Sequence, residues 1–400
     1  MSSLINQQSS GVIRIGIDAT NIRIGGGITH LLELLNAIDA KAMGVQEVVI
    51  WAGSKTLQSL PDHPWMTKIN PPSLDKSLFH RALWQLGSLT KAVREAQCDV
   101  LLVPGGSYVG GFHPVVAMSQ NLFPFEWSVI SRTGLSLRML KFIVLRWVQS
   151  YTFKHSDGVI FLTQYAKEAV LKITGPLLAK TTVIAHGLST RFSYDPKPQL
   201  PIAQYDVVKP FQIIYVSTIE VYKNQDQVVL AVELLRKKGF PLSLTLVGPA
   251  EAKALNVLNK TMDQVQEGNQ GGNLDEPWCQ YLGAIPYEDL SALYKQADLA
   301  VFASSCETFG MIVLEQMAIG LPIACSDQSA MPEILGEGGI YFDPRSPASI
   351  ASAIEQYLAS PELREKKQLR AYELSKAYSW QRCAQDTVSF LRSVVVNQKQ

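Results

Sequence analysis

Short runs of β-branched and other apolar residues alternate along the chain with longer amphipathic stretches. The short runs are typical of buried parallel strands, and the longer stretches are typical of the helices that connect them. In the first half, strands are predicted at 12–17, 47–51, 100–103, 115–118, 158–162 and 182–184. Helices are predicted at 28–38, 78–95, 135–153 and 164–173. This alternation of strand and helix predicts a doubly wound α/β sheet.

The same alternation begins again in the second half of the chain. Strands are predicted there at 212–217, 243–248, 280–283, 299–303, 322–326 and 340–343. Between the halves, residues 194–210 carry four prolines, a pattern typical of a linker. We therefore expect two Rossmann-like domains, 1–200 and 201–375, facing a cleft that closes through the linker, and a C-terminal helix (376–400) that returns to the first domain.

Composition and charge narrow the class of protein. The 400 residues exceed what one hydrophobic core usually serves, and 47% hydrophobic with 18% charged residues indicates a packed globular protein. A net charge of +1 gives no general attraction to nucleic acid. The five cysteines are widely spaced and show neither a disulfide framework nor a zinc pattern. With no signal peptide pattern at residues 1–8 and no apolar run of ~20 residues, we expect a cytoplasmic protein, at most peripheral to a membrane.

Two glutamates eight residues apart are the most informative chemical feature. Glu307 lies in a loop, and Glu315 lies in a predicted helix that begins near 309–310 and ends at Gly320 and Pro322. Between 311 and 318 the only polar residues are Glu315 and Gln316, so we expect the Glu315 carboxylate to be buried. A pair of solvated surface glutamates is the alternative interpretation.

The surroundings of this pair indicate a site for a sugar diphosphate. A buried carboxylate needs a hydrogen-bond donor or a bound ligand, because an unpaired buried charge is costly. The helix N-terminus beside Glu307 offers backbone N–H groups and a partial positive charge, which favour phosphate. Carboxylates that accept hydrogen bonds from sugar hydroxyls would thus lie beside a helix N-terminus that binds an anion.

Two further segments could approach a phosphate group. Gly25-Gly26-Gly27 follow the first strand and precede a helix, so that backbone can come close to a ligand. An ordinary flexible loop is the alternative, and a dinucleotide site is disfavoured because the segment is not G-x-G-x-x-G. Lys223 follows the first strand of the second half, where a cation could meet a diphosphate, although a solvated surface lysine is the alternative.

Taken in order, these segments resemble the retaining GT-B glycosyltransferases of family 4, the glycosyl transferases group 1. The resemblance is sharpest over residues 212–345 and is carried by Lys223-Asn224, 282–287, Ala297-Asp298, the Glu307 to Glu315 element, 326–333 and Asp343-Pro344. The first half matches more loosely, through 25–27, 121–125 and 184–187.

The resemblance implies roles for three charged side chains. Glu307 would accept hydroxyls of the donor sugar, and Glu315 would hold the nucleotide ribose. Lys223 would neutralise the diphosphate as it leaves.

Other donor contacts implied by the resemblance involve the backbone. Amides of Phe309, Gly310 and Met311 would lie near the sugar and phosphate, and Ala284 and Ile285 would contact the base. Gly26 and Gly27 would close over the diphosphate from the opposite domain.

The chain departs from the family pattern at two places. Ser217-Thr218 stand where many members have Gly-Arg, so Thr218 brings no second cation to the diphosphate. Gln120 and Asn121 stand where many members have a histidine, which puts a general base there in doubt, although Asn121 is kept as a candidate catalytic residue. His113 and His186 are nearby alternatives by sequence, although a structural role is favoured for each of them.

A basic amphipathic segment lies at 127–156. It has no acidic residue, and Arg132, Arg138, Lys141, Arg146 and Lys154 alternate with apolar residues. Such a segment can rest on an anionic membrane, here through 132–154, with a lipid-linked acceptor as the consequence. A packed helix with a solvated basic face is the alternative.

The resemblance implies transfer of a hexose, mannose or glucose, from a nucleotide-diphosphate sugar such as GDP-mannose to a glycan or lipid-linked acceptor, in surface polysaccharide or glycolipid assembly. No cofactor beyond the donor, no metal and no nucleic-acid partner is expected. A nucleotide-sugar epimerase and a non-catalytic sugar- or nucleotide-binding homologue remain alternatives.

Overall fold

The computed structural model describes residues 12–23, 25–131, 137–192, 194–267 and 277–398. Contacts between residues divide the chain into two compact units. Unit 1 comprises 1–187 and 379–400, and unit 2 comprises 188–378. The chain thus leaves unit 1 after Gly187 and returns to it at Ser379.

Unit 1 contains a seven-stranded parallel sheet. Its strands are β1 (Ile13–Asp18), β2 (Val45–Trp51), β3 (Met66–Ile69), β4 (Val100–Val103), β5 (Val115–Ser119), β6 (Gly158–Phe161) and β7 (Lys180–Val183). Their order in the sheet is β3-β2-β1-β4-β5-β6-β7. The central strands β4, β5 and β6 are buried along their whole length, as expected for a sheet covered by helices on both faces.

The helices of unit 1 connect successive strands, and the last one comes from the end of the chain. They are α1 (Gly26–Ala37), α2 (Ser54–Ser59), α3 (Leu78–Gly87), α4 (Leu89–Glu95), α5 (Trp127–Ile130), α6 (Leu137–His155), α7 (Gln164–Thr174) and α15 (Trp380–Gln398). Helix α15 packs against α1, and its Arg392 donates a hydrogen bond to the Met43 carbonyl at 2.6 Å.

Unit 2 contains a six-stranded parallel sheet with order β10-β9-β8-β11-β12-β13. The strands are β8 (Phe211–Val216), β9 (Leu242–Val247), β10 (Cys279–Tyr281), β11 (Leu299–Phe302), β12 (Ile323–Ser326) and β13 (Gly339–Phe342). The helices are α8 (Gln225–Lys237), α9 (Ala252–Glu267), α10 (Leu290–Gln296), α11 (Met311–Ala318), α12 (Met331–Leu335), α13 (Pro347–Ala359) and α14 (Pro361–Ser375). The chain therefore has two Rossmann-like parallel-sheet domains, as the alternation of strands and helices predicts.

Strand β3 and the helix predicted at 78–95 differ from the sequence-based prediction, and the short helices α2 and α5 were not predicted. Strand β3 was not predicted, because its edge position leaves every residue at least partly exposed and its sequence carries polar Thr67 and Lys68. The single helix predicted at 78–95 is divided into α3 and α4 at Ser88. Of the helix predicted at 135–153, residues 135 and 136 lie outside the described residues.

The proline-rich segment 194–210 is a packed part of unit 2. The Tyr194 amide donates to the Ala318 carbonyl, and Lys197 pairs with Asp298 at 3.3 Å. Arg364 of α14 is fully buried, and its guanidinium donates to the carbonyls of Leu200 and of Tyr357. These contacts hold the predicted linker against the unit 2 core.

The helices of the described ranges all lack the length and apolar character needed to cross a bilayer.

Replacement of Arg364 by alanine should destabilise the protein by about 3 kcal/mol, because the carbonyls of Leu200 and Tyr357 lose their donor and a cavity remains above Phe211. The measurement is urea unfolding, with Arg370→Ala on the exposed face of the same helix as the matched control. Proteolysis within 194–210 should also become faster in the Arg364 variant. Equal stability of the two variants would contradict this account.

Candidate active site

The loop after β8 places Lys223 at the carboxyl edge of the unit 2 sheet. A short 3-10 turn (Val221–Lys223) ends at Asn224, which has a left-handed backbone conformation that asparagine tolerates. The Asn224 side-chain amide donates to the Ala303 carbonyl at 2.7 Å and to the Ser305 hydroxyl at 2.8 Å. The loops after β8 and after β11 are therefore joined through one asparagine.

Lys223 and Glu307 form an ion pair at this edge. Their side chains are 10% and 17% exposed, so both charges lie in a largely dry environment. The Lys223 ammonium also lies over the rings of Tyr222 and Phe302, at 5.2 and 5.3 Å from their centroids. The structure thus brings together the cation and the carboxylate that the sequence places 84 positions apart.

The backbone of Glu307 is held by the loop after β12. The Glu307 amide donates to the Ser329 hydroxyl at 2.8 Å, and that hydroxyl donates to the Glu307 carbonyl at 2.7 Å. Ser329 has a positive φ of 62°, which turns its side chain back toward Glu307. Three loops, after β8, β11 and β12, therefore fix the position of Glu307.

Helix α11 begins immediately after this loop, at Met311. Gly310 precedes it with φ 94°, and a side chain at Gly310 would collide with Met331. Phe309 is buried and packs edge-on against Tyr378, with ring centroids 5.8 Å apart. The amides of Val313 and Leu314 donate to the Gly310 carbonyl, so an anion at this helix end would meet the N–H groups that precede them, at Gly310 and Met311.

Glu315 is 2% exposed within α11, as the apolar pattern predicts. One carboxylate oxygen accepts a hydrogen bond from the Tyr287 hydroxyl at 2.5 Å, and the other, Oε2, is buried without a hydrogen-bond partner. The guanidinium of Arg191 lies 4.7 Å from the centroid of the Tyr287 ring. A buried acceptor with an unused oxygen is what a ligand hydroxyl could satisfy.

Burial raises the pKa of Glu315 from an ordinary 4.5 to about 7. The hydrogen bond from Tyr287 and the charge of Arg191 oppose this rise. The same carboxylate raises the pKa of the buried Tyr294 hydroxyl, after desolvation as the main cause. Glu315 therefore changes its protonation state near neutral pH.

The ends of β8, β9 and β10 come close together on the same edge. A side chain at Gly248, after β9, would collide with the Ser217 carbonyl, and the Gly248 amide donates to the Gly283 carbonyl at 2.8 Å. Ala284 and Ile285 follow Gly283 directly. The Thr218 carbonyl accepts a hydrogen bond from Gln225, so Thr218 is held by its backbone.

Unit 1 has its own carboxyl edge, which carries the glycine segment. Gly25 has φ 70°, and α1 begins at Gly26, where an added side chain would meet open space. A side chain at Gly27 would lie 3.5 Å from the Gln120 side-chain oxygen, so the glycines and the end of β5 are neighbours. Asn121 is exposed, and its side chain accepts a hydrogen bond from the Phe123 amide at 3.1 Å.

The candidate histidines occupy structural positions. His113 pairs with Asp157 at 2.7 Å, and Asp157 also accepts from the amide of Val115, at the amino end of β5, opposite the edge that holds Gln120. His186 is buried with its Nδ1 2.9 Å from Nδ1 of His30. Burial lowers the pKa of His30 to about 4, and burial together with His30 holds the pKa of His186 well below its ordinary value.

Three side chains of the unit 2 site were not assigned a role from sequence. Tyr287 donates a hydrogen bond to Glu315, and Arg191 lies over the Tyr287 ring. Ser329 accepts a hydrogen bond from the Glu307 amide. Their contacts join residues far apart in the chain, so spacing could not reveal them. The only available signal was that Tyr287 and Ser329 lie in segments that carry the family resemblance.

Within the part of the chain that the structure describes, histidine, cysteine and carboxylate side chains do not gather into a group of three that could hold a metal ion.

Part of unit 2 matches a known protein family. Residues 202–374 match the family described as glycosyl transferases group 1. The O-antigen chain mannosyltransferase B of Escherichia coli is 32% identical over 198 residues, which cover 48% of this chain and 49% of that protein. The glycogen synthase of Mycobacterium tuberculosis is 25% identical over 244 residues, which cover 60% and 55%. The chain thus spans about half the length of these curated relatives.

Solved structures share the fold over nearly the whole chain. Sucrose-phosphate synthase from Thermosynechococcus elongatus has a TM-score of 0.72 at 18% identity, covering 96% of this chain and 100% of that one. HepE of Anabaena, solved with UDP and glucose, has a TM-score of 0.68 at 17% identity, covering 95% and 100%. The two parallel-sheet domains have the GT-B fold, and the match of residues 202–374 supports a glycosyltransferase.

Proposed function

We propose that this protein is a retaining glycosyltransferase that moves a hexose from a nucleotide-diphosphate sugar to an acceptor hydroxyl. The observation that carries the proposal is the pairing of Lys223 with Glu307 beside the N-terminus of α11. A cation, a hydroxyl-accepting carboxylate and a set of helix N–H groups are the groups that a sugar diphosphate needs. The buried Glu315 with its unused oxygen adds an acceptor for ribose hydroxyls.

Each group has a distinct part in donor binding. Sugar hydroxyls donate to the Glu307 carboxylate, and the Lys223 ammonium binds the diphosphate. Each member of the ion pair thus exchanges its protein partner for a group of the donor. Amides at Phe309, Gly310 and Met311 bind sugar and phosphate oxygens. The backbone at Thr218, Ala284 and Ile285 lies along the same edge and contacts the nucleotide. Unit 1 contributes Gly26, Gly27 and Asn121, on the basis of the family resemblance.

The proposed reaction proceeds on one face of the sugar without a metal ion or any cofactor beyond the donor. As the bond from the sugar to the diphosphate breaks, the sugar gains oxocarbenium character and the leaving phosphate gains negative charge. Lys223 and the α11 amides stabilise that charge in a preorganised, poorly solvated site. The leaving phosphate oxygen removes the proton of the acceptor hydroxyl, which attacks from the same face and retains the anomeric configuration.

Mannose or glucose is the proposed sugar, carried by GDP or UDP. The names of the relatives, a mannosyltransferase and a glycogen synthase, support this choice, as does the UDP and glucose complex of HepE. We propose a glycan or lipid-linked acceptor, a role in surface polysaccharide or glycolipid assembly, and a cytoplasmic location at the inner face of the membrane. Contact through 132–154 is part of this proposal, although 132–136 lie outside the described residues.

A nucleoside diphosphate should stabilise the protein against heat. Ligand at a hundred times its dissociation constant should add roughly 2.7 kcal/mol to the free energy of unfolding. The measurement is a thermal shift series with GDP, UDP, ADP, their sugar conjugates and NAD. A response to one nucleoside diphosphate and none to NAD is expected, whereas a response to NAD alone would overturn the proposal.

Replacement of Glu307 by glutamine should reduce transfer by at least 10²–10³-fold, roughly the cost of losing one transition-state contact, and leave nucleotide affinity largely unchanged. The reason is that Glu307 contacts the sugar and not the nucleotide. Transfer from GDP- and UDP-sugars and binding of free GDP and UDP are measured in parallel. Glu337→Gln, at an exposed carboxylate of unit 2, is the matched control. Loss of nucleotide affinity in the Glu307 variant would contradict the assigned role.

The titration of Glu315 should make stability fall as the pH rises. The pKa of Glu315 is about 7 in the folded protein and an ordinary 4.5 in the unfolded chain. The contribution of Glu315 to the free energy of unfolding is therefore fully present below pH 4.5 and is lost as the pH rises through 7. The loss amounts to about 3 kcal/mol. Urea unfolding at pH 5 and pH 8 should show this decline in the wild type and in Glu337→Gln, and Glu315→Gln should lack it. Parallel pH profiles for all three proteins would rule out a perturbed Glu315.

A further inference from the structure

Tyr287 ties the loop after β10 to the carboxylate of Glu315. Its hydroxyl donates to Glu315 Oε1 at 2.5 Å, across 28 positions of the chain. The other oxygen, Oε2, is buried without a hydrogen-bond partner. Because a carboxylate is planar, fixing one oxygen with a donor also fixes the direction of the second. Tyr287 thereby determines where a ligand hydroxyl can meet Oε2.

The ring of Tyr287 is held by two of the first residues of unit 2. The guanidinium of Arg191 lies over its face, 4.7 Å from the centroid, and the fully buried Phe192 meets it edge-on at 5.5 Å. Arg191 is itself held by a hydrogen bond from its Nε to the Ser189 hydroxyl at 3.0 Å. Cation–π and edge-to-face contacts are both directional, so together they fix the orientation of the ring and of its hydroxyl.

The segment that holds the ring is packed against the helix that carries Glu315. Unit 2 begins at Leu188, and the short 3-10 turn that follows (Thr190–Phe192) packs against α11. Phe192 also meets Tyr294 of α10 edge-on, with ring centroids 6.1 Å apart. The position of this segment is therefore transmitted to the Glu315 carboxylate through the Tyr287 ring.

Charged and titratable groups face Glu315 from three neighbouring elements. Burial raises the pKa of Glu315 to about 7, and the Tyr287 hydrogen bond and the Arg191 charge oppose this rise. Tyr294 of α10 also faces the carboxylate, and desolvation, followed by the Glu315 charge, holds the pKa of its hydroxyl well above the ordinary 10. Tyr294 therefore stays neutral near pH 7, while Tyr287 and Arg191 favour the ionised form of Glu315.

Helices α12 and α14 also pack against α11. Glu333 of α12 lies near Tyr378, whose pKa is raised by burial and then by this glutamate. Arg364 of α14 donates to two backbone carbonyls. Neither Glu333 nor Arg364 is among the groups that shift the pKa of Glu315.

We propose that Arg191 and Tyr287 are positioning residues for donor binding. Arg191 fixes the ring, and the hydroxyl of that ring orients the Glu315 carboxylate so that Oε2 accepts a hydrogen bond from a ribose hydroxyl. Orientation matters because a hydrogen bond weakens steeply away from good geometry. This deepens the proposed function, on which it rests for the contact between Glu315 and the ribose.

The test is calorimetric binding of GDP and UDP and of their 2′,3′-dideoxy analogues. The wild type should bind the ribonucleotide about tenfold more tightly than its analogue, because without the hydroxyls Oε2 stays unpaired. Tyr287→Phe keeps the ring but removes the donor to Glu315, so it should bind the ribonucleotide about tenfold more weakly and lose most of this preference. Tyr205→Phe is the matched control, since it removes a tyrosine hydrogen bond to Asp298, which directly precedes β11 at the other edge of the sheet.

Substitutions of Arg191 test the cation over the ring. Arg191→Gln should show the same changes at smaller size, and Arg191→Lys, which keeps a cation there, should restore part of the ribose preference. Lys376→Gln removes another exposed cation of unit 2, which lies over the Tyr372 ring at 4.6 Å, and is the matched control. Because Arg191 is exposed, its variants should fold even if Tyr287→Phe does not.

The pH profile and the kinetic constants distinguish positioning from a purely structural role. A ribose hydroxyl donates to the ionised form of Glu315, so nucleotide affinity should rise as the pH passes the folded pKa of about 7. Tyr287→Phe and Arg191→Gln should move this rise to higher pH, and the control variants account for titration of the nucleotide itself. In transfer assays Tyr287→Phe should raise the donor KM about tenfold and leave kcat nearly unchanged, as expected for a contact shared by ground and transition states.

An unchanged ribose preference in Tyr287→Phe would overturn the inference and leave the proposed function standing. The same holds for a Tyr287→Phe variant that loses affinity equally for the ribonucleotide and its analogue, which is the result of a merely structural role. Arg191→Gln that behaves like Lys376→Gln would refute the pair by removing Arg191. A wild type that binds neither GDP nor UDP would refute the proposed function, and the inference with it.

Discussion

The ion pair between Lys223 and Glu307 is the interaction on which the arrangement of the unit 2 site depends. Two charges with so little exposure are stable only if each keeps a partner in good geometry, because an isolated buried charge is strongly destabilising. Asn224 positions the lysine loop, and Ser329 positions the glutamate backbone. The parallel sheet makes this convergence available, since the loops after β8, β11 and β12 all leave from one edge.

The two glutamates of the same element have different chemistry because their surroundings differ. Glu307 lies in a loop with a cation against it, whereas Glu315 lies inside a helix among apolar side chains with a neutral tyrosine as its hydrogen-bond donor. Burial without a paired cation is what raises the pKa of Glu315 to about 7. A hydroxyl-rich ligand therefore meets one carboxylate already neutralised by lysine and a second that still has an unsatisfied oxygen.

The sequence predicts those parts of the structure that depend on local pattern. Buried strands such as β4 and β5 are apolar throughout, and the burial of Glu315 follows from its neighbours in α11. Strand β3 could not be predicted, because an edge strand with polar residues has no such pattern. The bonds from Tyr287 to Glu315 and from Ser329 to Glu307 depend on how separate loops fold together, which spacing along the chain does not encode.

The orientation of α6 shows most clearly what sequence pattern leaves open. Its apolar and basic residues are mixed around the helix, so the pattern alone permits either a solvated basic face or a packed one. In the structure the buried side includes Gln149 and Thr152, while Trp147 and Leu137 face solvent. The same buried side carries Phe153, which is fully buried and packs against Phe125 and Phe161. Hydrogen bonds from Arg146 and Thr152 hold α6 in this rotation, so its orientation is set by tertiary contacts that the pattern along the helix does not encode.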